Sequence, residues 1–138
     1  VTGAIPGRPP QALDDPLFAP HFSGLRQGEL LVQSCPHHGL QWPPREMCLV
    51  CGNAALTWSP VAKTGFVYTY TVSHRAFHPY FSDKLPWAVA VVELGCGVRM
   101  LGGWAGAIGD LACGVAAVAV PRAEDDGTFL YWTPSPGS

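Results

Sequence analysis

The spacing of apolar positions changes along this chain, and each change marks a different element. Residues 1–11, with Pro6, Pro9 and Pro10, show no apolar period and read as an extended arm. Asp15-Pro16 has the form of a helix N-cap followed by proline at the first helical position. Leu17, Phe18, Phe22 and Leu25 can share one face of that helix. Pro20 predicts that it is short or kinked, and Gly28 offers a stop. Beyond residue 30 the pattern turns to strands. Leu30 to Gln33 is a short strand into Cys35, and Leu56 to Trp58 leads out of the cysteine-containing region in the same manner.

Phe66 to Ser73 is aromatic and β-branched, as a strand should be. Trp87 to Leu94 is almost continuously apolar, which predicts a strand covered on both faces. Gly95-Cys96-Gly97 turns into Val98 to Trp104, where Gly102-Gly103 predicts a bulge or sharp coil. Val115 to Val120 is a further strand, expected to stop at Pro121, and Asp126-Gly127 is a hairpin-type turn before Thr128 to Trp132. Five short antiparallel strands in about 70 residues must hide their edges. A closed oligonucleotide/oligosaccharide-binding (OB) barrel does this, with a small sandwich as the rival. The fold class read from the pattern is therefore mainly β, with a short N-terminal helix ahead of the barrel. Its expected divisions are 1–29 for the arm and helix, 30–60 for the cysteine-containing ribbon, 61–134 for the barrel and 135–138 for a tail.

Composition narrows the function classes. Hydrophobic residues make up 48% and charged residues 13% of the 138 positions, so a packed core is expected and global disorder is not. So few charges also leave an apolar surface, which suggests a face covered by a partner. The net charge is −2 and the eight lysines and arginines are scattered, so no row of phosphates is matched and a nucleic-acid partner is not expected. No apolar run approaches the roughly 18–20 residues of a membrane span. No charged segment followed by an apolar one opens the chain, so a cytoplasmic location is expected. The start at Val1 is compatible with methionine removal or with a fragment of a longer protein. Five cysteines, two of them in a C-x-x-C pair, suit a metal site better than a disulfide framework.

The metal chemistry is concentrated between residues 35 and 51. Cys35-Pro-His-His38 and Cys48-Leu-Val-Cys51 each place two ligand types two residues apart, the spacing at which one tight knuckle turns both side chains onto one ion. Two knuckles complete a tetrahedron of thiolates and an imidazole, which favours zinc. His38 holds the C-x-x-H position that neighbouring His37 reaches less easily. Four protein ligands leave no open position for water, so the expected role of Cys35, His38, Cys48 and Cys51 is to bind a structural zinc ion. The alternative reading is of ordinary buried thiols and surface histidines.

The run Gly28-Glu-Leu, Cys35-x-x-His38-Gly, Pro43-Pro-Arg45, Cys48-x-x-Cys51-Gly, Trp58 and Gly65-Phe-Val-Tyr68-Thr-Tyr-Thr71 resembles the DUF35 family. Pro86-Trp87 to Glu93-Leu and Leu130-Tyr-Trp132-x-Pro134 extend the resemblance over roughly residues 15–134. It implies a rubredoxin-like zinc ribbon followed by a C-terminal OB fold. It further implies a non-catalytic subunit of a thiolase-superfamily complex acting on acyl-CoA thioesters. The partner would be a thiolase-fold or lipid-transfer-protein-like enzyme, in a heterotetramer, with steroid side-chain retro-aldol cleavage as one version of the chemistry. Accessory subunits of β-ketoacyl-CoA thiolases or acyltransferases are the alternative, as is a free-standing OB module binding acyl-CoA or single-stranded nucleic acid. Some members are fused to a hydratase domain. Two positions depart from the family: histidine replaces one metal cysteine, and Phe22-Ser23 stands where a Phe-Trp pair is usual.

Outside the ribbon, the segment between the first two barrel strands carries His74, Arg75, Phe77, His78, Tyr80, Phe81 and Lys84. Its aromatic rings can stack on an adenine or pack on a partner, and Arg75 and Lys84 can meet phosphates. Arg45, in the ribbon loop, is either an ion-pair partner or a ligand contact. His74 and His78 are tied to no nucleophile or carboxylate by spacing, so catalysis by either is not expected. Glu93 is expected at a barrel rim, and Cys96 and Cys113 as buried free thiols.

Overall fold

The computed structural model describes residues 15–76, 78–124 and 127–136. The arm at residues 1–11 and Phe77 lie outside these, as does Asp126 of the expected hairpin turn. Helix α1 spans Ala19–Arg26. It begins later than Asp15-Pro16 predicts. The Asp15 carbonyl accepts from the N–H groups of Phe18 (3.0 Å) and Ala19 (2.8 Å), and its Oδ1 accepts from Leu17 N–H (2.9 Å), so Asp15 closes a turn ahead of the helix. Phe18 is the N-cap and Pro20 falls in the first turn, where its missing N–H costs no intrahelical bond. At the other end Gly28, with φ of 76°, takes the left-handed position. Gly28 N–H reaches Leu25 O and Glu29 N–H reaches Gly24 O, the paired bonds that terminate a helix.

Strands β1 (Leu30–Cys35), β2 (Gly39–Gln41) and β3 (Thr57–Val61) form a three-stranded sheet in the order β2-β1-β3. Strands β4 (Thr64–Ser73), β5 (Trp87–Leu94), β6 (Arg99–Trp104), β7 (Ala116–Glu124) and β8 (Gly127–Pro134) close into a barrel in the order β4-β5-β6-β8-β7. This is the OB topology. One pairing differs from the all-antiparallel expectation, because β6 and β8 meet in parallel, Gly103 opposite Tyr131 and Trp104 opposite Trp132.

Three local expectations are corrected. The β5–β6 register runs without a break through Gly102 and Gly103, and the irregularity sits instead between Val67 and Thr69 of β4. The two glycines answer a packing need. A Cβ on Gly102 would lie 2.7 Å from Trp132 Nε1, and one on Gly103 would lie 2.6 Å from Tyr131 Cε1. Second, β7 runs on through Pro121 to Glu124, pairing with β8. Its pairs with β4 end at Val118, so the missing N–H of Pro121 faces an unpaired edge. Third, β5 is not buried on both faces: Ala88, Ala90, Val92 and Leu94 are buried, while Trp87, Val89 and Val91 are only half-buried.

Helix, ribbon and barrel share one core. Leu25 of α1 and Leu30 and Val32 of β1 belong to the same buried cluster as Val67, Val92, Met100 and the fully buried Trp132. Lys63 Nζ donates to Gly28 O at 2.8 Å, tying the start of the barrel to the end of the helix. Phe22 meets Phe129 edge-on at 6.3 Å, so α1 also lies against β8.

Candidate metal centre and the loop between the first barrel strands

The β1–β2 hairpin brings Cys35 opposite Gly39 and so presents Cys35 and His38 together. The second knuckle is held by its own backbone. Cys48 N–H donates to Asn53 O, Gly52 N–H donates to Cys48 O, and Val50 N–H points at Cys48 Sγ (3.4 Å). Gly39 and Gly52, each just after the second donor of a knuckle, take φ of 75° and 73°, a conformation costly for any side chain with a Cβ. The donor atoms of Cys35, His38, Cys48 and Cys51 all lie within 4.8 Å of one another. Cys35 Sγ is 3.7 Å from Cys51 Sγ, and His38 Nδ1 is 3.8 Å from both Cys35 Sγ and Cys48 Sγ.

Zinc–sulfur bonds of about 2.3 Å in a tetrahedron put two sulfurs about 3.8 Å apart, whereas a disulfide would need about 2 Å. The cluster therefore fits a structural zinc ion. Backbone N–H groups of Cys51 and Val50 hold the Cys48 thiol below its ordinary value, the direction that favours a thiolate ligand. The Cys51 thiol goes the other way: the Asn53 N–H lowers it, but burial and the neighbouring sulfurs outweigh that bond. His37 is exposed and not in the cluster.

A glutamine network that sequence reasoning missed supports the ribbon. Buried Gln33 donates to Arg45 O (2.7 Å) and accepts from Arg45 N–H (2.8 Å) and from Gln41 Nε2 (2.7 Å). Gln41 in turn accepts from Leu49 N–H. Arg45 is thus fixed through its backbone, and its side chain is exposed. Gln33 and Gln41 face each other across the β1–β2 register, a pairing with no signature in the sequence alone.

The segment joining β4 to β5 is folded over the barrel by a short 3₁₀ turn, Pro79–Phe81. His78 Nδ1 accepts from Tyr80 N–H (3.1 Å), so this histidine caps the turn. Arg75, His78 and Phe81 line a cavity of about 220 Å³ with Ser73, Leu85 and Trp87. Lys84 Nζ lies 4.1 Å over the Tyr80 ring and bonds Asp83 at 3.2 Å, and His74 is exposed. Neither lines that cavity. The structure thus brings Arg75, His78 and Phe81 together on one cavity, which Arg45, His74 and Lys84 do not line.

Phe81 and Trp87 also line a second cavity, an apolar groove of about 480 Å³ between α1, the ribbon and the outer face of the barrel. Phe22, Trp42, Leu101 and Phe129 lie on its walls. His21, on the same groove, is buried with its ring 4.9 Å from Trp42, and burial lowers its pKa from 6.5 to about 4. A larger cavity, about 610 Å³ at the β4–β7 end, gathers Thr64, Glu93 and Ser135, with no cationic group among the described residues that line it. Glu93 is exposed and pairs with Arg99 at 3.3 Å. Cys96 and Cys113 are exposed, contrary to expectation, because both sit in glycine-containing turns outside the strands.

Fold and site together define a zinc-ribbon protein built against an OB barrel. The sequence model of the ChsH2 rubredoxin-like zinc ribbon domain matches residues 22–57, and that of the ChsH2 C-terminal OB-fold domain matches residues 58–120. The chain belongs to the DUF35 family of ChsH2-like proteins. A solved structure described as the Ltp2-ChsH2(DUF35) aldolase is 31% identical, with a TM-score of 0.79 over 92% of this chain and 98% of that one. A DUF35-family protein of unknown function from Sulfolobus solfataricus shares the fold at 16% identity, with a TM-score of 0.63 over 87% of this chain and 86% of that one. A probable enoyl-CoA hydratase alpha subunit of Thermomonospora curvata is 37% identical over 81 residues, 58% of this chain. This chain spans 25% of the length of that relative. Among the described residues no helix is long and apolar enough to cross a membrane.

Proposed function

We propose that this chain is the non-catalytic, zinc-containing subunit of a thiolase-superfamily complex that acts on acyl-CoA thioesters. The observation that carries this reading is its likeness, over nearly the whole length of both chains, to the ChsH2(DUF35) component of an aldolase. Zinc is held by Cys35, His38, Cys48 and Cys51 and does no chemistry. It fixes the ribbon that α1 and the barrel pack against. A thiolase-fold or lipid-transfer-protein-like partner supplies the reacting groups, in a heterotetramer. In the retro-aldol version a base on the partner takes the β-hydroxyl proton, the Cα–Cβ bond breaks, and the electron pair is held as a thioester enolate before protonation.

The surface supports a partner. Phe66, Tyr68 and Tyr70 are exposed along β4, and Met47, Leu49 and Val50 are exposed at the second knuckle, apolar side chains that a partner could cover. The loop with Arg75, Phe77, His78, Tyr80, Phe81 and Lys84, flanked by His74, is the proposed contact for acyl-CoA or partner, and Arg45 a second point. Co-expression with a thiolase-fold protein from the same genome, followed by size-exclusion chromatography, tests the assembly. Co-elution with zinc retained is expected, and a chain that stays monomeric overturns the reading. Assay of the pair with β-hydroxyacyl-CoA and β-ketoacyl-CoA thioesters then decides the chemistry. A carbonyl product released without added CoA identifies the aldolase, and CoA-dependent cleavage identifies a thiolase.

A further inference from the structure

The two cavities share the rings of Phe81 and Trp87, and a carboxylate, Glu124, is tied to the tyrosines that flank them. Glu124, at the end of β7, accepts from Tyr80 O–H through Oε2 (3.1 Å) and from Tyr131 O–H through Oε1 (2.8 Å). Tyr80 meets Phe81 edge-on at 4.9 Å, Phe81 meets Trp87 at 4.9 Å, and Trp87 meets Tyr131 edge-on at 6.4 Å. The contacts close a circuit from Glu124 through four rings and back. It links a loop residue to a hairpin residue 44 positions away. Cations brace both phenols: Lys84 lies over Tyr80 at 4.1 Å and Arg122 over Tyr131 at 4.2 Å.

The backbone bonds within the turn are local, among them Phe81 N–H to His78 O, Ser82 N–H to Pro79 O and Lys84 N–H to Phe81 O. Such bonds set the shape of the turn, and the circuit ties that turn to the barrel.

We infer that Glu124 is the positioning residue of this loop: through Tyr80 it sets Phe81 and Trp87 as the partition between the apolar groove and the cavity lined by Arg75 and His78. Without it the two spaces open into each other. The role goes beyond the proposed function and does not depend on a partner.

The test uses the zinc-loaded full chain labelled with 5-fluorotryptophan, which gives one ¹⁹F resonance for each of its five tryptophans. Trp87→Phe assigns the reporter. Tyr80→Phe, which removes one hydroxyl, and Glu124→Ala are each expected to shift or broaden the Trp87 resonance while those of Trp58 and Trp104 stay in place. In the same variants the amides of residues 80, 81, 82 and 84 should exchange about tenfold faster, the loss expected for one tertiary hydrogen bond, with β5 amides unchanged. In a Phe81→Ala background Tyr80→Phe should add little further change at Trp87, because the Tyr80 branch of the circuit reaches that ring through Phe81. A Trp87 resonance that stays at its wild-type position in both Tyr80→Phe and Glu124→Ala overturns the inference, as does faster exchange spread evenly over the whole chain. Neither result touches the proposed assembly, which co-elution alone decides.

Discussion

His21 is buried against Phe22 and Trp42, and its Nδ1 has no hydrogen-bond partner among the described residues. Burial favours its neutral form and brings its pKa to about 4, against 6.5 in the unfolded chain. Between those values the unfolded chain binds more protons. Stability is therefore complete above about pH 6.5 and falls as the pH drops towards 4, by an amount on the order of 3 kcal/mol. Urea midpoints from pH 7 to 4.5 should show that fall, and His21→Phe should flatten it. Identical slopes would assign the fall to other groups, the zinc ligands first. At the metal, His38→Ala and Cys48→Ser should lose zinc while His37→Ala keeps one ion per chain, measured by metal analysis of purified protein. The four donors were legible because a knuckle is a local device: two residues of spacing and a following glycine suffice. His21 lay in plain view between apolar neighbours, but its burial comes from Trp42, twenty-one positions on.

Closure of the barrel rests on the short parallel contact of β6 with β8, where Gly102 and Gly103 let the rings of Trp132 and Tyr131 approach. Gly103→Ala should cost about 1–3 kcal/mol by overpacking, read as a lower melting temperature with zinc content unchanged. Gln33→Leu should cost a similar amount, since it leaves Arg45 N–H and O without their partner. Strand periods were readable where one face is buried, so β4, β5 and β6 stand close to where alternation and turns place them. Pro121 misled because a proline reads as a stop unless one knows that its edge is unpaired, and pairing is not local. The Gly-Gly pair misled for the same reason: the rings that need the space arrive from β8.

Ribbon and barrel are not separable bodies, since Leu25, Leu30 and Val32 enter the barrel's own cluster. Metal removal should therefore act unevenly. After chelation, amides of residues 36–56 should exchange rapidly and the melting temperature should fall, while the near-ultraviolet signal of the buried Trp104 and Trp132 persists. Loss of both together would show that the barrel cannot hold without the ribbon. The order of helix, ribbon and OB barrel, the zinc donors and the family were all carried by the linear chain, because knuckle spacing, strand period and turn residues act over a few positions. The groove under α1, the neutral His21, the glutamine network and the Glu124 circuit came only from folding. Each joins residues from different elements, and an energy that exists only once those elements meet leaves no periodic mark on the sequence.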